Sequence, residues 1–150
     1  MDRMFKIAAA YLQQARSRLK DAAGALKDGN YPYSLRLSQE CVELSLKASL
    51  KLVGIECPKV HDVSDVLLRV KERFPEWFKE ELEDMCEASK VLASKREIAF
   101  YGSEEEYLSP EEIIGGREAE SAVSKAEKTH RLCEKLLLSF MEAKGRTSFT

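Results

Sequence analysis

The segment from Pro32 to Val53 carries two apolar stripes at helical spacing, and this pattern constrains the fold more than any other feature of the sequence. Each stripe recurs in steps of three and four residues, which places it on one side of an α-helix. The first stripe comprises Leu37, Cys41, Leu44, Ala48 and Leu52, and the second comprises Leu35, Val42, Leu46, Leu50 and Val53. Such a helix lies either at the centre of its own fold or half in that fold and half in a partner.

Similar steps recur in the segments on either side. They predict long helices over residues 3–27, 76–100 and 109–145 and a shorter helix over residues 63–74, while no segment has the alternation of a strand. Gly29, Gly54, Gly102 and Pro75 are placed to end helices, and Ser109 opens a capping-box pattern. We therefore predict an all-α protein, an antiparallel up-and-down bundle of four to five helices. One domain would span residues 1–145, with residues 146–150 as a frayed tail.

Length and charge narrow the functional class. A chain of 150 residues can bury a core without a disulfide or a metal. Its 24 Lys and Arg residues nearly balance 26 Asp and Glu, and the net charge of -2 argues against a broad basic surface for nucleic acid, although a local basic patch stays open. No segment approaches the roughly 20 apolar residues of a membrane span, and the first residues lack signal-peptide organisation. We expect a cytoplasmic protein with no membrane association.

The four cysteines, Cys41, Cys57, Cys86 and Cys133, form no Cys-x-x-Cys pair and stand at no zinc-finger spacing to a histidine. Three of them occupy apolar positions of predicted helices, so we expect reduced, buried thiols. No group of ligands predicts a metal, and no glycine-rich loop predicts a cofactor.

Two histidines and one charged pair are candidates for chemistry. His130 lies on the packing seam of the last helix, where a hydrogen-bonded core histidine is the simpler interpretation. His61 precedes Asp62, a predicted N-cap, and either orients that turn or faces a ligand. Glu43 and Lys47 stand four residues apart on the second helix, and they form either a surface ion pair or a polar strip that faces a cleft.

Arg96 falls on the otherwise apolar stripe of the fourth predicted helix. A half-buried guanidinium group needs a partner, because its charge is costly to remove from water. One interpretation is a structural salt bridge, with Glu43 as a candidate partner. The other is a phosphate bound by Arg96 beside the hydroxyl group of Tyr101.

The stretch from Gly29 to Asp62 resembles the HEPN domain family. The resemblance is carried by Gly29-Asn30-Tyr31-Pro32-Tyr33-Ser34, Gln39-Glu40, Glu43-Leu44-Ser45-Leu46-Lys47-Ala48, Gly54, Pro58 and His61-Asp62. In helix order and length it extends over residues 3–140. It implies a small helical bundle, commonly a homodimer, that is associated with nucleotides and RNA.

The resemblance also implies a test for enzymatic activity. Many HEPN domains are metal-independent ribonucleases, including toxins paired with a nucleotidyltransferase antitoxin. The active ones carry an Arg, four to six further residues and then a His; the Arg stabilises the phosphate and the His moves protons at the 2′-hydroxyl. Here Tyr101 follows Arg96, and no His lies within six residues. A tyrosine, with a pKa of about 10, is a poor general base at neutral pH.

Three hypotheses follow. The first is a non-catalytic homodimeric module that binds a nucleotide or RNA through Arg96, Tyr101, Glu43 and Lys47, or serves as partner of a nucleotidyltransferase-like protein in a toxin–antitoxin type pair. The second is a degenerate metal-independent ribonuclease that uses Arg96, Tyr101 and His61, and it requires His61 and Arg96 on the same face. The third, a purely structural protein, requires Arg96 to bond only its own chain, with no open cleft around it.

Overall fold

Four long helices and three short ones make up the protein, which we describe from a computed structural model covering residues 2–148. The helices are α1 (Arg3–Lys27), α2 (Tyr31–Leu52), α3 (Ser64–Arg69), α4 (Glu76–Lys79), α5 (Leu82–Tyr101), α6 (Pro110–Ile113) and α7 (Gly116–Ser148), with a 3₁₀ turn at Lys71–Arg73. Within the part of the chain described, there is no strand, only an isolated bridge between Ser103 and Leu108. The predicted all-α antiparallel bundle is confirmed.

Helix α2 is the centre of the bundle, as its two apolar stripes predict. It packs most extensively on α1, then on α7 and α5. Both stripes are largely buried by these neighbours within the same chain; the buried members are Leu35, Leu37, Cys41, Val42, Leu46, Ala48, Leu50 and Leu52. Of the two alternatives that the stripes allow, the structure has the central helix, and the stripes leave no broad apolar face of α2 for a partner.

The helix predicted over residues 76–100 is interrupted. Residues 76–79 form the single turn α4, and the chain re-enters a helix only at Leu82. Phe78 is fully buried and its ring lies 4.8 Å from that of Phe74, while Leu82 is also buried. Glu80 and Glu81, which lie between Phe78 and Leu82, are good helix formers and give no local signal for a break. The burial of Phe78 and Leu82 therefore accounts for the interruption.

The start of the last helical segment follows the predicted capping pattern. The backbone N–H of Ser109 donates to a Glu112 carboxylate oxygen at 2.7 Å, which is the reciprocal bond of a capping box. Ile114 and Gly115 then separate α6 from α7, which begins at Gly116. Helix α7 continues to Ser148, and residues 149 and 150 lie outside the described part, so the frayed tail at residues 146–150 stays a prediction.

Cysteines and the core histidine lie where the sequence places them. All four cysteines are free thiols; Cys41, Cys86 and Cys133 are buried and Cys57 is half-buried. His130 is buried and its Nε2 lies 3.2 Å from the carbonyl oxygen of Leu12 on α1, so it ties α7 to α1. No helix among residues 2–148 is long and apolar enough to cross a membrane.

Candidate functional site

The polar side of α2 forms the floor of the candidate site. Gln39, Glu40, Glu43 and Lys47 follow one another at helical spacing on the side left free by the two apolar stripes. Helix α1, helix α5 and the loop before α3 each add a side chain to this row. The site is therefore built on rigid elements, and the central position of α2 fixes its floor.

Two guanidinium groups meet at Glu40. Arg96 on α5 donates from Nη1 to Glu40 Oε2 at 3.2 Å, and also to Gln39 Oε1 at 2.7 Å. Arg18 on α1 donates from Nε to the other oxygen, Glu40 Oε1, at 3.3 Å. Its Nη1 donates to Gln14 at 2.7 Å. The single carboxylate thus lies between two cations from different helices.

Glu43 is the second centre of the site, and its carboxylate accepts three side-chain hydrogen bonds. The donors are Gln39 Nε2 at 3.0 Å, Lys47 Nζ at 2.9 Å and His61 Nδ1 at 2.7 Å. Burial alone raises the pKa of Glu43, but the bonds from Lys47, Gln39 and His61 outweigh it and hold the pKa below its ordinary value. Glu43 is therefore ionised at neutral pH.

The contact with Glu43 also fixes the tautomer of His61. An ionised carboxylate only accepts hydrogen bonds, so Nδ1 of His61 carries the proton that faces Glu43. In the neutral ring the basic nitrogen is then Nε2. The side chain of His61 is 58% exposed, so it is open to a ligand in solution.

The loop that carries His61 is anchored on both sides. Asp62 Oδ1 accepts from the backbone N–H of Ser64 at 3.0 Å and from the Ser89 hydroxyl on α5 at 2.7 Å, and it also accepts from the Ser64 hydroxyl. Burial raises the pKa of Asp62, but the bonds from Ser64 and Ser89 lower it by more, so the pKa lies below its ordinary value. Asp62 therefore stabilises the turn before α3, but its prediction as an N-cap is wrong, because α3 begins at Ser64 and its N-cap is Val63. Cys57 Sγ donates to the carbonyl of Lys47 at 3.5 Å, which holds the loop to α2.

These side chains surround an open pocket of about 220 Å³. Its lining comprises Arg18, Glu40, Glu43, Leu44, His61 and Arg96. The two arginines of the lining balance its two carboxylates, and Lys47, which bonds Glu43 but is not among the lining residues, gives the network one net positive charge before His61 is counted. A small excess of positive charge, with two guanidinium groups at one wall, suits an anionic ligand.

The structure brings together four of the five predicted site residues. Glu43, His61 and Arg96 line the same pocket. Lys47 is not among the lining residues, but it bonds Glu43, and only 15% of its side chain is exposed. Tyr101 is different: it is the last residue of α5, is 66% exposed, and is not among the lining residues. Its ring centroid lies 5.5 Å from that of Phe100.

Sequence reasoning did not assign Arg18 or Glu40 to the site, and it named the wrong partner for Arg96. Arg96 pairs with Glu40, not with Glu43. Because residues 40 and 43 lie one helical turn apart on the same side of α2, periodicity alone does not distinguish them. Arg18 gave no signal, since it stands on an ordinary polar face of α1 and reaches the site only through the packing of α1 on α2.

A larger pocket, of about 350 Å³, lies between α5 and α7 but offers weaker chemistry. Its most prominent cation, Lys128, is already paired with Glu81 at 3.0 Å and Asp84 at 3.1 Å. Across the described residues, no cluster of three or more His, Cys, Asp or Glu side chains is placed to hold a metal ion.

Comparison with solved structures supports the fold. The protein TT1696 from Thermus thermophilus is 27% identical, with a TM-score of 0.69 over 85% of this chain and 96% of that one. ST0689, described as an archaeal HEPN homologue, is 22% identical and shares the fold, with a TM-score of 0.67 over 87% of this chain and 97% of the other. A search of curated proteins found no match.

The family itself is established by a comparison of sequence. The family model of the HEPN domain matches residues 8–136, a range that includes the pocket lining and all five predicted site residues. The chain therefore belongs to the HEPN domain family.

Proposed function

We propose that this HEPN domain binds a phosphate group of a nucleotide or of RNA in the pocket beside α2, and that it does so without cleaving the ligand. One observation carries the proposal: Arg18 and Arg96, from two different helices, converge on the single carboxylate of Glu40. Guanidinium groups gathered in this way are the usual means of recognising phosphate.

The carboxylate of Glu40 keeps the two arginines close together in the absence of a ligand. Both contacts, at 3.3 and 3.2 Å, are long for charge-assisted hydrogen bonds, and the side chains of Arg18 and Arg96 remain 34% and 22% exposed. A phosphate that enters the pocket would share these donors with Glu40 or displace it. The arginines need little rearrangement, because Gln14 and Gln39 already orient them.

The non-catalytic part of the proposal rests on the residues after Arg96. No histidine stands within six residues of it, and the hydroxyl group of Tyr101 is a poor general base at neutral pH. Tyr101 also lies outside the pocket lining, so the Arg and Tyr of this helix do not form the pair that cleavage would require.

A second candidate, a metal-independent ribonuclease, is favoured by one specific observation. His61 lies in the same pocket as Arg96, and Glu43 orients it at 2.7 Å. In this reaction Nε2 of His61 would take the proton of a 2′-hydroxyl, whose oxygen would attack the adjacent phosphorus held by Arg96. The 5′-oxygen would leave and take a proton from water, which yields a 2′,3′-cyclic phosphate.

One experiment separates the two candidates. A 5′-labelled single-stranded RNA is incubated in EDTA with the wild type and with Arg96→Ala and His61→Ala, and both anisotropy and chain length are recorded. We expect binding without cleavage, at least roughly tenfold weaker binding by Arg96→Ala, and little change for Arg16→Ala, an exposed arginine of α1 outside the pocket. Cleavage that disappears in His61→Ala would establish the ribonuclease instead, and unaltered binding by Arg96→Ala would overturn the proposed site.

The proposal includes a homodimer, a cytoplasmic location and a nucleotidyltransferase-like partner of the toxin–antitoxin type. Their support is the HEPN resemblance and, for the location, the four free thiols. Because the apolar stripes of α2 are buried within the chain, a dimer would have to use another surface. The molecular mass in solution, measured by light scattering, tests the dimer, and co-purification with a co-expressed nucleotidyltransferase tests the partner.

A further inference from the structure

Beside the pocket, three aromatic rings and a guanidinium group lie in contact with one another, and the proposed phosphate site does not use them. The Cζ of Arg36 lies 3.4 Å from the centroid of the Phe100 ring and 5.5 Å from that of Tyr33. The Phe100 and Tyr101 rings are 5.5 Å apart and inclined by 31°. We call Tyr33, Arg36, Phe100 and Tyr101 the aromatic stack.

The three aromatic residues of the aromatic stack are exposed to solvent. Tyr33 is 41% exposed, Phe100 40% and Tyr101 66%. Arg36 is half-buried, and its buried Nε has no hydrogen-bond partner, as expected for a guanidinium group that lies flat against a ring. Burial in the core thus does not account for these aromatic residues, whereas exposed rings can stack with another planar group.

Arg96 connects the aromatic stack to the pocket. Its Nη1 bonds Glu40 at the pocket wall, while its Cζ lies 5.4 Å from the Phe100 ring centroid. A ligand with an anionic group at Arg18 and Arg96 would therefore have the stack directly beside it. A nucleotide unit has this form, with a planar base next to a phosphate.

We propose that the aromatic stack binds a base of single-stranded nucleic acid, chiefly on Tyr101, while Arg18 and Arg96 hold an adjacent phosphate. This inference rests on the proposed function and deepens it, because it names the ligand class. Aromatic side chains beside cationic groups are the means by which single strands are bound without regard to sequence. A duplex keeps its bases stacked on one another and so offers none to the aromatic stack.

The charge beside the aromatic stack favours a polyanionic ligand such as nucleic acid. Arg36 is paired with no carboxylate among the residues that the structure describes, and Arg96 shares Glu40 with Arg18. A polyphosphate backbone neutralises these cations.

The test compares a short single-stranded RNA with an abasic strand of the same length and the same number of phosphates. We expect the wild type to bind the base-bearing strand about tenfold more tightly, since stacking on one aromatic side chain is of that order. Tyr101→Ala should remove the preference and Tyr101→Phe should keep it. Tyr107→Ala, which changes a 92% exposed tyrosine outside the stack, should behave as the wild type.

The outcomes separate this inference from the proposed function. Equal affinities of the wild type for both strands would overturn base stacking and leave the phosphate site standing, whereas binding of neither strand would overturn both. A preference that survives in Tyr101→Ala would also overturn the inference. If Tyr101→Ala instead halves the mass measured by light scattering, with equal affinities for both strands, the aromatic stack is an interface between copies.

Discussion

Glu43 has a residue-level role that acid pH should reveal. Burial raises the pKa of Glu43, but the bonds from Lys47, Gln39 and His61 lower it by more than burial raises it. The folded protein therefore favours the ionised form more than the unfolded chain does. This stabilisation is fully present above the unfolded pKa, about 4.3, and is lost as the pH falls through the lower folded value. We therefore predict that Glu43→Gln lowers the free energy of unfolding by about 1–2 kcal/mol at pH 7 and by much less at about pH 3.

Urea unfolding at the two pH values measures this difference. The matched control is Glu127→Gln, which changes an exposed carboxylate on α7 and should have a small effect at both pH values. A loss of stability in Glu43→Gln that is equal under neutral and acidic conditions would mean that the charge of Glu43 is not what the three donors stabilise.

The thiols should react in the order of their burial. Burial raises the pKa of Cys41 to about 12 and also raises the pKa of Cys86 and Cys133, so almost no thiolate forms there at pH 8. Cys57 is only half-buried, and its pKa is raised by partial burial. We predict that a disulfide reagent at pH 8 titrates Cys57 first and reaches all four thiols only after unfolding. Cys57→Ser should abolish the fast phase; three fast thiols in the native protein would contradict the buried positions.

At the residue scale, sequence reasoning found the ionic pair that lies within one helix and missed those between helices. The spacing of Glu43 and Lys47 predicts their contact directly, because four residues bring two side chains together on any helix. The contact of Arg18 with Glu40 depends on how α1 is rotated and shifted against α2. That register is set by the fit of many core side chains, which no local pattern contains.

Substitution by alanine should change the stability of the protein in opposite directions at two glycines, one at the end of α5 and one within α1. Gly102 ends α5 with φ of 69° and ψ of -147°, a conformation nearly restricted to glycine, and a Cβ there would lie 2.1 Å from the carbonyl oxygen of Leu108. We predict that Gly102→Ala lowers the free energy of unfolding by about 3 kcal/mol or more. Gly24 lies within α1 with no atom within 4 Å of a Cβ, so Gly24→Ala should raise it by about 0.5–1 kcal/mol.

Thermal or urea unfolding of the two variants beside the wild type measures both effects. Each variant is the control for the other, because the chemical change is identical and only the backbone conformation and the surroundings differ. A stable Gly102→Ala protein would mean that α5 ends in another way and that the return of the chain at Leu108 is looser than described.

The accuracy of the element boundaries follows the strength of their local signals. Helix α1 begins and ends at the predicted residues because Asp2 caps its first turn and Gly29, with φ of 78°, closes its end. The break between α4 and α5 has no such signal. It arises because Phe78 must stack on Phe74 while Leu82 reaches the core, a requirement of tertiary packing that overrides helix propensity.

At the scale of the whole molecule, the net charge and the candidate site point in different directions. A chain with a net charge of -2 should not attract nucleic acid over its whole surface. The network at the pocket nevertheless joins Arg18, Arg96 and the neighbouring Lys47 to two carboxylates, so its surplus positive charge is local and small. Binding should therefore depend on few phosphate contacts, and this has a measurable signature in salt.

We predict a shallow salt dependence for the binding of single-stranded RNA. Each neutralised phosphate of a single strand contributes a slope of about -0.7 to the plot of log affinity against log salt concentration. One phosphate, held by Arg18 and Arg96 together, gives a slope of about -0.7, and Arg96→Ala should bring the slope closer to zero. Arg16→Ala removes the same charge from a part of α1 beside Gln13 and Lys20, and it should leave the slope unchanged.

Anisotropy titrations from low to physiological salt give the slope. A steep slope shared by all three proteins would mean that RNA is held by a diffuse basic surface, and the pocket beside α2 would lose its assigned role.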